Sequence, residues 1–163
     1  MTTTLSPREF VDKWRYSTRT ERSASQEHFI DLCALLGHPT PGQADPSGEW
    51  FTFEAGANKA LGGEGFADVW KKGFFALEYK GPHGDLNHAY GQLLNYAHSL
   101  ENPPLLLVSD MQVIEVHTNF TNTAKGDFIL TLDDLLTAEG LDRLRAVFYD
   151  PERLRPTRTT LQV

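Results

Sequence analysis

The chain has 163 residues, 40% of them apolar and 23% charged, enough for one soluble domain with a sizeable core. A formal net charge of −7 excludes a free-standing basic nucleic-acid binder, though not a nuclease domain, whose metal-binding acids add negative charge. One cysteine excludes an internal disulfide; with no secretory h-region and no apolar run of membrane-spanning length, a cytoplasmic, membrane-free setting is the expectation.

The stretch "LSPREFVDKW" predicts a helix, with Ser6 as N-cap, Pro7 at the first helical position and Glu9 completing a capping box. A second helix is expected from about Ser25 to Leu36, because Phe29, Leu32, Cys33 and Leu36 recur at helical spacing and Gly37 supplies a stop. Cys33 on that apolar face reads as a buried, inert thiol. "GHPTPGQADPSG" reads as a loop from its Pro and Gly content. "EWFTFE" predicts the first strand, ending on Glu54, and "AGANKALGGEG" a glycine-rich loop without P-loop spacing.

Two strands then flank "KKG", a hairpin signal with Gly73 in the turn. A helix is expected from about Asp85 to Leu100, its apolar stripe formed by Leu86, Ala89, Leu93, Ala97 and Leu100, and "ENPP" stops it. "LLLVS" predicts a strand covered on both faces, and "VIEVHT" its neighbour across Asp110-Met111. "TLDDLL" predicts a short helix capped by Thr131 and Asp134, and "LDRLRAVFYD" a last one stopped by Pro151. The order α-α-β-β-β-α-β-β-α-α implies an α/β fold: a mixed sheet of about five strands flanked by helices.

The chemistry is expected in the hairpin. Glu78 and Lys80 are two apart on one strand and point the same way, while Leu77 and Tyr79 point to the other face. The turn near Lys72-Gly73 lies midway between Asp68 and Glu78, so the two acids face each other across paired strands, with Cβ atoms about 5 Å apart. Carboxylates that close repel unless a cation lies between them, and Mg²⁺ suits hard oxygen ligands. Lys80 beside them would orient or deprotonate the attacking water, or stabilise charge developing on phosphorus. The bland reading of Glu-x-Lys alone is a surface ion pair; the paired Asp68 and the following helix favour a metal site.

Asp68-x9-Glu78-x-Lys80 resembles the PD-(D/E)XK nuclease pattern, with "FAD" where the family has Pro-Asp. "ERSASQEHFIDLCALLGHPTP", "FADVWKKGFFALEYKG" and "QLLNYAHSLENPPLLLVSDM" look like the N-terminal nuclease domain of large bacterial class I DNA adenine methyltransferases, similar to type IIL fused restriction–modification enzymes. The resemblance implies a restriction-endonuclease-like domain over residues 1–155 and a linker over 156–163 leading to a C-terminal methyltransferase region. It implies Mg²⁺, or Mn²⁺ in its place, and cleavage of double-stranded DNA to 5′-phosphate and 3′-hydroxyl ends in phage defence. The methyltransferase and target-recognition domains would be partners, and a homodimer would allow double-strand cleavage. S-adenosylmethionine belongs to the parent's other domain: "ENPPL" has Leu105 in place of the aromatic of an adenine-methylation motif, and this piece is expected not to methylate.

By position, Asp68 and Glu78 would be metal ligands and Lys80 the catalytic lysine. The family's additional acid would be Glu21, ahead of Glu27, and Glu54 is a further candidate ligand. Gln92 and Tyr96 match a Gln-x3-Tyr pair on one helical face, expected at DNA; a surface Gln and a half-buried Tyr are the ordinary alternative. Lys72 and His83 complete the expected DNA contacts. The other reading of the chain is a catalytically inactive DNA-binding or docking module of a methyltransferase, which the negative charge and missing proline favour.

Overall fold

In the computed structural model the described residues are 4–18, 21–56, 66–82 and 84–157, with the side chains of 21–23 outside the description. Their elements are α1 (Pro7–Arg15), α2 (Glu21–Leu36), α3 (Pro41–Ala44), β1 (Phe51–Ala55), β2 (Ala67–Lys71), β3 (Phe75–Tyr79), α4 (Leu86–Tyr96), β4 (Leu105–Ser109), β5 (Val113–Thr118), β6 (Phe128–Thr131) and α5 (Ala138–Tyr149). Single 3-10 turns occupy Asp133–Leu136 and Pro151–Leu154. No helix among the described residues is long and apolar enough to cross a membrane.

The strands form one mixed sheet in the order β1-β2-β3-β4-β5-β6. All neighbours are antiparallel except β3 and β4, which are parallel because α4 carries the chain back between them. One face carries α1, α2 and α5 over a large core, in which Phe29 stacks on Phe148 at 5.5 Å and packs edge-on to Phe51. The other face carries α4 over smaller residues: Ala55, Ala67, Ala76, Leu106 and Val108 meet Ala89 and Leu93. Strand β4, sandwiched between both layers, is buried at all five positions, as its continuous apolar run requires.

The local signals hold where they have a mechanism. Ser6 and Glu9 form the reciprocal capping box of α1 at 3.1 Å each way, and Gly37 adopts φ 66° after α2. Three expectations need correction. The sheet has six strands, not five: β6 has four residues with only Leu130 buried, so it shows no alternation to read. The Pro/Gly-rich segment contains α3, whose Thr40–Gln43 capping box and Pro41 outweigh the loop-like composition. Thr131 and Asp134 do exchange cap hydrogen bonds, but the turn they support is 3-10.

Lys71 is 6% exposed and is held by groups other than carboxylates among the described residues. Its ammonium donates to the Phe148 carbonyl at 2.7 Å, in the last turn of α5, and meets His38 Nε2 at 3.0 Å. The Phe74 ring lies 3.7 Å away. The cation thus satisfies a carbonyl at the negative end of the α5 dipole and ties β2 to the end of α2. Burial pulls its pKa down to about 8.

Two buried histidines make the fold sensitive to acid. Burial, reinforced by the Lys13 charge, lowers His28 to about 3; burial, reinforced by Lys71, lowers His38 to about 4. The unfolded chain therefore binds protons from about pH 6.5 downward while the folded chain does not, so stability is full above 6.5 and is lost as pH falls towards 4 and then 3. Urea titrations should show the unfolding free energy falling between pH 6.5 and 5, before most carboxylates titrate, by roughly 1.4 kcal/mol per histidine per pH unit. A flat midpoint across that interval contradicts the buried neutral assignment.

Candidate functional site

Pairing of β2 with β3 runs Val69↔Leu77, Trp70↔Ala76 and Lys71↔Phe75, so the same register continued by one residue sets Asp68 opposite Glu78. The pairs Phe53↔Val69 and Ala55↔Ala67 likewise bracket Glu54 opposite Asp68, and Glu78 pairs with Val108, which pairs with Glu115. Glu54, Asp68 and Glu78 thus belong to three adjacent strands, Glu54 and Asp68 where the β1–β2 ladder skips a position, Asp68 and Glu78 one residue beyond the β2–β3 ladder. On β3, Phe75, Leu77 and Tyr79 enter the large core, which leaves Glu78 and Lys80 for the α4 face.

Asp68 is held from the backbone. Its Oδ2 accepts the Tyr79 N–H at 2.7 Å, where the hairpin ladder has ended, so the carboxylate takes the place of a strand carbonyl. Lys80 follows on the other edge of β3, its N–H bonded to the Ser109 carbonyl at 2.8 Å. The turn after it closes tightly: a Cβ on Gly84 would lie 2.6 Å from the Lys80 Cβ and 2.8 Å from the Gly81 carbonyl. Position 84 must therefore stay a glycine for this turn to lie against the Lys80 stem.

The Tyr79 side chain anchors the same segment from below. Its hydroxyl and His28 Nδ1 share a buried hydrogen bond of 2.7 Å, with Trp14 edge-on to the imidazole at 4.9 Å. Burial, with the Asp68 charge adding to it, raises the phenol well above its ordinary range, so Tyr79 supports the site and exchanges no proton there.

Helix α4 supplies the wall. Ala89 and Leu93 face the sheet, Tyr90 stacks on His117 of β5 at 3.9 Å, and Tyr96 packs tilted against Phe66, which precedes β2, at 4.9 Å. The flank bearing Gln92 and Tyr96, one turn apart, therefore faces the β2 side, where Asp68 lies. Gln92 Oε1 is buried with no hydrogen-bond partner among the described residues.

The remaining expected residues do not converge there. Lys72 is exposed in the hairpin turn, at the opposite end of β2 and β3 from the acids, and pairs with Glu101 at 3.5 Å. Glu54 is exposed and has φ 51°, so its strand alignment does not by itself aim its carboxylate at Asp68. Glu21 opens α2, but its side chain lies outside the described residues, and so does His83. Glu27 pairs with Lys13 at 2.8 Å.

Sequence reasoning missed Phe66, whose signal was its place two residues before Asp68. It also missed a closed group on β5: His117 meets Asp127 through Nδ1 at 2.9 Å and Glu115 through Nε2 at 3.1 Å, so neither ring nitrogen is left for a metal. A surface cavity of about 410 Å³ beside α5 is lined by Arg143, Arg153 and Arg155. Each of these guanidiniums is paired with an acid, Glu139, Asp142 and Glu152 respectively, so the cavity has no surplus positive charge.

No three His, Cys, Asp or Glu side chains among the described residues converge as a metal cage. The donor set on the α4 face is two carboxylates, with the Gln92 amide oxygen on the neighbouring helix flank. It suits Mg²⁺ or Mn²⁺, which keep waters and use one or two carboxylates plus substrate phosphate. It does not suit zinc, which prefers a nitrogen- or sulfur-rich tetrahedral set.

Replacement of Tyr79 by Phe leaves the His28 nitrogen unsatisfied in the core and should lower the unfolding free energy by about 1–3 kcal/mol in urea. Wild-type stability in that variant would show that the buried bond carries no net weight. Comparison with protein-family models, curated proteins and solved structures finds no match to this chain.

Proposed function

We propose that the chain is a metal-dependent DNA endonuclease domain of PD-(D/E)XK architecture that hydrolyses phosphodiesters at Asp68, Glu78 and Lys80. The observation that supports this reading is the β2–β3 register, which, carried one residue past Val69↔Leu77, would bring Asp68 opposite Glu78, with strand alternation turning Lys80 to the face of Glu78. The site lies at the carboxyl end of β3, where its parallel neighbour β4 also ends, the usual place for a ligand crevice in an α/β sheet.

The roles follow from what each group can do. Asp68, fixed through Oδ2 by the Tyr79 N–H, would give its other oxygen to a cation, with Glu78 as the second carboxylate ligand. Lys80 presents an ammonium to the phosphate and moves a proton to or from the attacking water. Bound Mg²⁺ would polarise the phosphoryl oxygen and offset its developing charge. By the sequence resemblance, the domain is the N-terminal piece of a restriction–modification methyltransferase, with target recognition supplied by the parent's other domains.

A second reading is favoured by two observations. The Asp68 carboxylate already has a structural use, closing the end of the hairpin, and the chain is acidic overall, as a docking module that keeps the fold without the activity would be.

Plasmid nicking in Mg²⁺ or Mn²⁺ separates the two. On the nuclease reading, Lys80→Ala lowers the rate roughly 10²–10⁴-fold with folding intact. Asp68→Ala combined with Glu78→Ala abolishes both cleavage and calorimetric Mg²⁺ binding. Cleavage that survives the double replacement refutes the assignment; DNA binding without metal binding or cleavage in the wild type establishes the docking module.

A further inference from the structure

We infer that the Phe66–Tyr96 ring pair is a stacking platform for one unpaired nucleobase, so that the strand cut at Asp68 and Glu78 is single-stranded or frayed where it enters the site. The choice of a nucleobase as occupant rests on the phosphodiesterase reading; the partly exposed ring pair does not.

The platform is built from three elements. The Phe66 N–H donates to the Ala55 carbonyl at 2.7 Å, which pins the ring at the open end of the β1–β2 pair. Gly56, at φ 77°, lies against that ring: a Cβ there would fall 2.3 Å from Phe66 Cδ2. The ring is thus backed by bare backbone, which leaves Tyr96 as its aromatic neighbour, with centroids 4.9 Å apart and planes inclined by 33°. Tyr96, in the last turn of α4, is nevertheless 40% exposed. Tyr96 is thus backed by Phe66 while part of the residue remains exposed at the surface.

Its place suggests the occupant. Phe66 and Asp68 are two apart along the same stretch of chain, a rise of about 7 Å, so a base on the rings would set its own sugar–phosphate beside the carboxylates. Stacking accepts any base, because every base has a π-face. Bases inside a duplex have both faces covered by their neighbours, so the platform selects a base that has left the stack.

The test is fluorescence of a short single strand carrying 2-aminopurine, and of the same strand in a duplex, titrated with the whole chain in EDTA so that no metal-dependent step occurs. The single strand should be quenched saturably and the duplex should not. Tyr96→Leu should weaken single-strand binding roughly ten-fold or more, Tyr96→Phe should retain it, and Phe66→Leu should behave as Tyr96→Leu does. Circular dichroism identifies any variant that fails to fold, and the Tyr96→Phe and Tyr96→Leu comparison holds if Phe66→Leu does. Equal binding of duplex and single strand, no binding of the single strand, or no effect of Tyr96→Leu overturns the platform. Tyr96-dependent quenching without cleavage in Mg²⁺ or Mn²⁺ sustains the platform and removes the phosphodiesterase reading; cleavage with no such quenching does the reverse.

Discussion

The hydrogen bond between the Tyr79 hydroxyl and His28 Nδ1, 2.7 Å long inside the large core, is the constraint on which the candidate site depends. It joins the middle of the sheet to α2, and it fixes which face of β3 each residue occupies. With Tyr79 held inward, alternation leaves Glu78 and Lys80 no choice but the α4 face. The backbone N–H of the same residue takes the Asp68 carboxylate. One residue therefore couples core packing to the geometry of both acids. The coupling is stiff, because a buried polar pair that loses one member leaves the other unsatisfied where water does not reach.

The two faces of the sheet divide the work. Stability resides on the α1–α2–α5 side, where Phe10, Phe29, Phe51, Phe75 and Phe148 interlock. The α4 side is built on alanines, which bring the helix close to the sheet at Ala76 and Ala89 and leave the end of β3 to polar groups. Helix α4 closes the two sides of this face differently. Towards β5, Tyr90 covers a histidine saturated by two carboxylates; towards β2, Tyr96 covers Phe66 incompletely and Gln92 buries an acceptor that has no donor among the described residues. The unfinished side is the one that carries Asp68.

Three lysines of the hairpin region show what could be read beforehand and what could not. Lys80 was legible, because a strand two-residue period links it to Glu78. Lys71 and Lys72 read alike, as a turn dipeptide, yet one is the buried partner of the Phe148 carbonyl and the other an exposed partner of Glu101. No local pattern separates them: the carbonyl that receives Lys71 belongs to a helix that begins 67 residues later in the chain. The same holds for His28 and His38, which have ordinary surroundings in sequence and are buried by contacts with distant strands and helices.

Local sequence signals were enough for the helix cap at Ser6–Glu9, the hairpin around Gly73, the crossover helix and the fully buried β4. All of these follow from short-range periodicity and turn chemistry, which act over a few residues. Tertiary structure alone decided that a four-residue edge strand completes the sheet, that Lys72 lies far from the acids, that Phe66 meets Tyr96, and that Tyr79 reaches His28. These depend on how elements distant in the chain pack, where burial and hydrogen-bond satisfaction across the sheet outweigh any local preference.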